Sequence, residues 1–183
     1  IIDFYPEPIP ETDSGNAVVV EDQAVIAAIS KTEPEAPAES AVAAFPETII
    51  FDRLDKEITV LNPTSNSVVD LDAALLEGAV RHPDSANFQA TVNIFILGHS
   101  SYLPNVMNKN FQAFNGIQDL KWGDTVRLRS ADREYIYRVD KVYEAKASEV
   151  TVPTDSNKAK LTLATCDSFG SKDDRFIVEA TLV

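Results

Sequence analysis

Three side chains of this sequence have the chemistry of a nucleophilic site: Cys166, His99 and Arg175. A cysteine attacks as its thiolate, and a free thiol with a pKa of about 8.5 is mostly protonated at neutral pH. A nearby histidine can take that proton and later give it to a leaving amine. An arginine stays charged and presents planar donors, which suits it to holding a carbonyl or an oxyanion.

Cys166 and Arg175 stand at facing ends of two predicted strands. Residues 158–165 alternate apolar and polar side chains and lead into Cys166, and residues 175–182 alternate again from Arg175 onward. The segment between them is loop-like. If the two strands pair as a hairpin, the end of the first lies beside the start of the second, and both residues lie at one rim.

His99 follows the apolar strand predicted at residues 91–97, after Gly98. It joins the same rim only if its strand runs parallel to the cysteine strand. Spacing alone leaves other interpretations open. A lone cysteine is often a small buried residue, a histidine beside a glycine is often structural, and an arginine that opens a strand is often solvated.

The sequence from residue 47 onward is rich in β-strand patterns. Further strands are predicted at 49–51, 58–61, 125–130 and 135–143, and short helices at 70–79 (with Asp70 as N-cap) and 108–115. Seven or eight strands with two or three short helices predict a mostly β fold, closed or nearly closed into a barrel.

Residues 1–46 differ from the rest because they are acidic and rich in Pro, Ala and Glu. This composition predicts an extended stalk or linker. Residues 18–20 and 25–29 are apolar enough for a short strand or helix, so a lid that folds back onto the domain is the alternative. The predicted domains are therefore a linker, 1–46, and a β-domain, 47–183.

Composition excludes several function classes. The formal net charge of −13 argues against binding nucleic acid or being held on anionic lipid by charge. The single cysteine rules out an internal disulfide. No apolar run approaches the roughly 20 residues that span a bilayer. The sequence begins at Ile1 without a methionine, so we expect a processed or trimmed chain whose targeting segment is not included.

The text around the three residues resembles the sortases, a family of cysteine transpeptidases. Residues 162–166 (Thr-Leu-Ala-Thr-Cys) match their Thr-Leu-x-Thr-Cys motif, residues 173–178 look like their arginine strand, and residues 95–101 resemble their glycine-histidine segment. Looser likenesses lie at 78–83, 120–126 and 135–139. The pieces occur in the family's order and cover roughly residues 47–183.

This resemblance implies an eight-stranded β-barrel and a thioester mechanism. Sortases cleave a Leu-Pro-x-Thr-Gly-like sorting signal near the C-terminus of a secreted protein and pass the protein to an amine on a cell-wall precursor or a pilin lysine. By position, Cys166 would be the nucleophile, His99 the general acid and base, and Arg175 the clamp on substrate or oxyanion. Contacts to the substrate or oxyanion would fall to Thr165, Ala164 and Ser100.

The resemblance also implies a bacterial cell surface, with the chain anchored in the membrane by a helix that precedes it and residues 1–46 as its stalk. No cofactor is expected. Some sortases bind calcium, but no clustered loop pattern of Asp and Glu supports it here, and no metal site is predicted. Pilin-building sortases often carry a lid with an Asp-Pro-aromatic motif, which residues 1–46 lack. The subclass stays unassigned.

Two other residues are candidates for a functional role, and other protein classes are alternatives to a sortase. His82, before Pro83, is predicted to make a structural hydrogen bond, and Trp122 is predicted to lie in the core.

An L,D-transpeptidase would place His and Cys almost adjacent, and a papain-like protease would place Cys before His, so neither fits. A thiol peptidase that mainly hydrolyses, and a non-catalytic surface-adhesion module on a β-barrel, remain open.

Overall fold

Eight strands build the fold in the computed structural model, which describes residues 45–88, 92–130, 133–149, 158–167 and 174–183. At Glu149, Cys166 and Asp167 the description covers the backbone alone. The strands are β1 (Thr48–Phe51), β2 (Lys56–Leu61), β3 (Ala79–Arg81), β4 (Asn93–Ser100), β5 (Thr125–Arg129), β6 (Glu134–Lys146), β7 (Lys160–Asp167) and β8 (Asp174–Leu182).

Within the same residues there are one α-helix and four short 3-10 helices. The α-helix is α1 (Val68–Leu75), and the 3-10 helices are Asp52–Leu54, Lys109–Gln112, Ile117–Asp119 and Ala147–Glu149. None of the described helices is long and apolar enough to cross a membrane.

The strands close into a barrel in the order β1-β2-β3-β4-β7-β8-β6-β5, with β5 returning to β1. Two neighbouring pairs, β2 with β3 and β4 with β7, are parallel, and the others are antiparallel. The prediction of a mostly β, closed eight-stranded barrel is confirmed.

Strand β5 shows how the alternating pattern becomes a barrel wall. Val126 and Leu128 are fully buried in the interior. Arg127, between them, faces outward and forms ion pairs with Asp52 at 2.6 Å and Glu134 at 3.2 Å. The hydrogen bond from Arg127 holds the pKa of Asp52 below its usual value. The half-buried strand predicted at 125–130 is confirmed.

The first helix differs from its prediction over 70–79. It begins at Val68, and its N-cap is Ser67, whose hydroxyl accepts a hydrogen bond from the Asp70 amide. The Asp70 carboxylate in turn accepts one from the Ser67 hydroxyl at 2.7 Å. Asp70 is therefore the third helical residue, a position where a carboxylate stabilises the first turn, and its prediction as N-cap is wrong.

The sequence after α1 forms strand β3, whose first residue, Ala79, was predicted as the end of the helix. All three residues of β3 are buried, and β3 pairs in parallel with β2. The chain approaches β2 closely at Gly78, where a Cβ would lie 2.5 Å from the carbonyl oxygen of Thr59. Three residues are too few to show a period, so nothing in the pattern distinguishes this strand from the end of a helix.

Three predicted strands run further than their patterns indicate. Strand β4 continues to Ser100 and β7 to Asp167, although the predictions ended at residues 97 and 165. Strand β6 extends to Lys146, beyond the predicted end at 143. His99 and Cys166 therefore lie within paired strands rather than in the loops after them, and their backbones are held by the sheet.

Trp122 was predicted to lie in the core and is instead 74% exposed. It lies just before Gly123, whose amide bonds the carbonyl of Val139, so the turn runs along the outer surface of the barrel. The Arg138 guanidinium lies 5.8 Å from the Trp122 ring centre and covers part of it. The prediction is wrong because a turn's position, not the hydrophobicity of its aromatic residue, decides exposure here.

The first described residues, Phe45 and Pro46, are held to the barrel around Arg81. Its guanidinium carbon lies 4.6 Å from the centre of the Phe45 ring, and its Nε donates to the Asn62 side chain at 3.0 Å. The Asn62 amide also donates to the Pro46 carbonyl at 2.7 Å. Residues 1–44 lie outside the described residues, so their prediction as stalk or lid stays a prediction.

Candidate active site

The predicted condition for assembling the site, a histidine strand parallel to the cysteine strand, is met. Strands β4 and β7 pair in parallel, and their register sets His99 directly beside Cys166. Gly98 pairs with Thr165 and Ser100 with Asp167 on either side. Neighbouring strands lie about 4.8 Å apart, so the backbones of His99 and Cys166 are as close as a sheet allows.

Strand β8 brings Arg175 to the same place from the other side of β7. The two strands pair antiparallel, with Leu163 opposite Val178 and Ala164 opposite Ile177. Extending this register by two residues would set Cys166 opposite Arg175. The three predicted catalytic residues would then form one row across three adjacent strands.

This row lies on the outer face of the barrel wall. Leu163 and Val178 belong to the interior core, and residues of a strand alternate between its faces. Ala164 and Ile177 therefore lie on the other face, and so do Cys166 and Arg175, two residues further along. Ala164 and Ile177 are nevertheless buried, so the neighbouring row on this face, two residues along each strand from the candidate catalytic row, is apolar.

The chain is recognised by a family model described as the sortase domain, which matches residues 49–183. This chain belongs to the sortase family. No curated protein matches it.

Solved sortase structures have the same fold as this sortase. Sortase C of Streptococcus pneumoniae superimposes with a TM-score of 0.61 at 20% identity, covering 74% of this chain and 64% of its own. Sortase A of Corynebacterium diphtheriae gives 0.62 at 22%, covering 79% and 63%. A sortase D5 transpeptidase of Clostridium perfringens gives 0.59 at 19%, covering 74% and 77%. The chain thus spans a little under two thirds of the first two.

The other predicted contact residues of this sortase occupy different environments. Ala164 lies in the apolar row beside the candidate nucleophile. The Thr165 side chain is only 2% exposed, and its hydroxyl accepts a hydrogen bond from the Phe176 amide at 3.0 Å. Ser100 is half-buried at the end of β4. Roles for these three in holding substrate or oxyanion stay predictions.

Arg175 and His82 are placed very differently with respect to the row. The Arg175 guanidinium is half-buried and donates from Nη1 to the Asp174 carbonyl at 3.1 Å. His82 lies outside the row, in the turn after β3. Its Nδ1 accepts a hydrogen bond from the Asp84 amide at 3.3 Å, as predicted for a structural histidine.

The imidazole of His99 lies against an aromatic neighbour. The Phe111 ring centre is 5.3 Å from it, with the two planes tilted by 37°. The backbone of the next residues is attached as well, because the Phe114 amide donates to the His99 carbonyl at 2.8 Å. The 3-10 helix Lys109–Gln112 and the residues directly after it therefore form one side of the histidine's environment.

Gly98 is required by that same segment. Phe114 is fully buried in the barrel interior, in an edge-to-face contact with Phe51 at 5.6 Å. A Cβ on Gly98 would lie 2.5 Å from two carbons of the Phe114 ring, a distance that no real contact allows. The glycine before the histidine is thus explained by packing: only a residue without a side chain lets the ring fill the core there.

We expect Gly98→Ala to lower the free energy of unfolding by about 1–3 kcal/mol, because the methyl group must displace a fully buried ring. Thermal unfolding followed by circular dichroism measures the loss. In a Phe114→Leu background the same substitution should cost less, since the smaller side chain leaves room for the methyl group. Equal costs in both backgrounds would contradict the proposed clash.

Cofactor binding finds no positive support. In the part of the chain that the structure describes, no three His, Cys, Asp or Glu residues are grouped to hold a metal ion. The expectation that the enzyme needs neither metal nor cofactor stays a prediction.

Proposed function

We propose that this sortase is a cysteine transpeptidase that cleaves a Leu-Pro-x-Thr-Gly-like sorting signal through a thioester and passes the protein to an amine. The observation that carries the proposal is the register of β4 and β7, which sets His99 beside Cys166. Arg175 stands next in the same row by continuation of the β7–β8 register. These are the residue types that the chemistry needs, and they come from two distant parts of the chain: His99 from one, and Cys166 with Arg175 from the other.

In the first half-reaction His99 takes the proton of the Cys166 thiol, and the thiolate attacks the threonine carbonyl of the signal. Arg175 holds the developing oxyanion. The Thr–Gly peptide bond then breaks, the leaving amine takes the proton from His99, and a thioester joins the threonine to Cys166.

In the second half-reaction an acceptor amine attacks the thioester. His99 takes a proton from the amine and returns it to the cysteine sulfur as the C–S bond breaks. The products are a new amide and the free thiol, so no oxidant, metal or nucleotide is consumed. Water in place of the amine would give hydrolysis, the thiol-peptidase alternative.

The partners and the location follow from this chemistry and from the family. The donor would be a secreted protein with a C-terminal sorting signal, and the acceptor an amine of a peptidoglycan precursor or a pilin lysine. Sortase C of Streptococcus pneumoniae, one of the similar structures, is described with a pilin substrate specificity. We place this enzyme on the outer face of a bacterial membrane, with residues 1–46 as the stalk that joins it to an N-terminal anchor.

The test is intact-mass spectrometry of the protein with a pool of Leu-Pro-x-Thr-Gly-like peptides, with and without an amine. A covalent acyl adduct that the amine converts to a ligated peptide supports the proposal and reports the preferred signal. Cleavage without ligation, at every amine concentration, would favour the thiol peptidase. A folded protein that forms no adduct, even when shortened to begin at Phe45, would favour the non-catalytic adhesion module.

A further inference from the structure

The histidine of the proposed reaction is supported by a segment that lies across the end of β4. Phe111 contacts the imidazole, and the Phe114 amide bonds the His99 carbonyl. Asn115 adds a reciprocal pair of bonds: its side-chain oxygen accepts from the Ser101 amide at 2.8 Å, and its side-chain nitrogen donates to the Ser101 carbonyl at 2.8 Å. The strand end is therefore fixed at His99 and again at Ser101, two residues later.

This segment is itself fastened to the barrel by a lysine from a distant strand. Lys56, the first residue of β2, donates from Nζ to the carbonyl oxygens of Gln112 at 2.9 Å and Asn115 at 2.7 Å. The two carbonyls are three residues apart, so one ammonium group bridges the end of the 3-10 helix and the residue that holds Ser101. Hydrogen bonds from a charged donor are the stronger class.

Burial strengthens the case that this bridge matters. The Lys56 side chain is half-buried, and its burial lowers its pKa below the usual value. Taking a cation out of water has a cost, which its bonds to the two carbonyls offset. A lysine needed only for solubility would extend into solvent, as the exposed Lys109 does.

We propose that Lys56 is a positioning residue for His99, acting through the segment that carries Phe111 and Asn115. This inference rests on the proposed transpeptidase function. General acid–base catalysis depends on the orientation of the imidazole, and a displacement of about 1 Å can cost about 100-fold in rate. The Lys56 ammonium bonds the carbonyls of Gln112 and Asn115 and acts on His99 only through them. It keeps the surface against which the imidazole rests in one position.

The kinetic test compares Lys56→Met with Lys109→Met. Both lysines line the same open cleft of ≈ 430 Å³. The Lys109 ammonium forms no hydrogen bond or ion pair with the described residues. Methionine keeps the unbranched stem and removes the donors. We expect Lys56→Met to lower kcat by about 10- to 100-fold with KM changed less than about twofold, and Lys109→Met to change neither.

A spectroscopic test does not depend on turnover. The chain has two histidines, so a His82→Gln variant assigns the imidazole signals of His99 in the NMR spectrum. In the wild type we expect a nuclear Overhauser contact between the His99 and Phe111 rings, and we expect it to be lost or weakened in Lys56→Met. Should the protein lack transpeptidase activity, this measurement alone decides whether Lys56 positions the histidine.

Two further variants separate positioning from stability. Lys56→Arg keeps a cationic donor and should recover most of kcat. Asn115→Ala should lower kcat to a similar extent, and adding it to Lys56→Met should cost little more, because both act through one path. An intact ring contact in Lys56→Met, or a lower unfolding temperature with unchanged kcat, would overturn the proposal and leave Lys56 a stabilising residue.

Discussion

Cys166→Ala is expected to abolish peptide ligation, with a fall in rate of about 10⁴-fold or more. The reason is chemical: the thioester needs a sulfur, and the rest of the site cannot supply another nucleophile of comparable strength. Ligation is measured by chromatography of the peptide products and the adduct by intact mass. Because the chain has one cysteine, a thioester adduct can form only at Cys166.

Two controls accompany this variant. Cys166→Ser replaces the thiol with a hydroxyl of similar size and should be nearly as inactive, since a serine hydroxyl is a far weaker nucleophile without a base tuned for it. Both variants should unfold within a few degrees of the wild type. Ligation by Cys166→Ala at more than about one hundredth of the wild-type rate would mean that another residue carries the chemistry.

The sequence predicts that Cys166 and Arg175 lie together in the candidate catalytic row, but it places His99 there only if two distant strands run in parallel. Alternation on both sides of a short loop indicates that the strands holding Cys166 and Arg175 form a hairpin, and local chain closure makes that pairing the obvious one. The pairing of β4 with β7 joins residues 67 positions apart, His99 and Cys166. The hydrophobic pattern predicts that both strands are buried, but it does not indicate that they are neighbours or that they run in parallel. The match to known motifs supplied that information.

Long-range polar contacts were not predictable from the pattern at all. Lys56 is one of several lysines in short strands and turns, and nothing in its neighbourhood in the sequence indicates that it bonds carbonyls more than 50 residues away. Asn115 likewise precedes a glycine, which predicts a turn but not a partner at Ser101. Local propensity describes elements. The partners of their polar groups depend on how the elements pack.

His99→Gln, compared with His82→Gln, is the second large effect that we expect. The chain has only these two histidines, so each is a natural control for the other. Loss of the general acid and base should lower kcat/KM by about 10²- to 10⁴-fold. Glutamine keeps hydrogen-bonding capacity and approximate length, and therefore tests proton transfer rather than packing against Phe111.

His82 should be dispensable because of where it lies. Its ring is 6.0 Å from that of Phe95, which precedes His99 by four residues on β4, about 13 Å along the strand. We expect His82→Gln to change kcat/KM by less than about threefold and to keep a bell-shaped dependence on pH, since Cys166 and His99 must hold the correct protonation states together. If His82→Gln lost activity while His99→Gln kept it, the base would be the histidine of the turn, and the catalytic role assigned to the row of β4, β7 and β8 would have to be withdrawn.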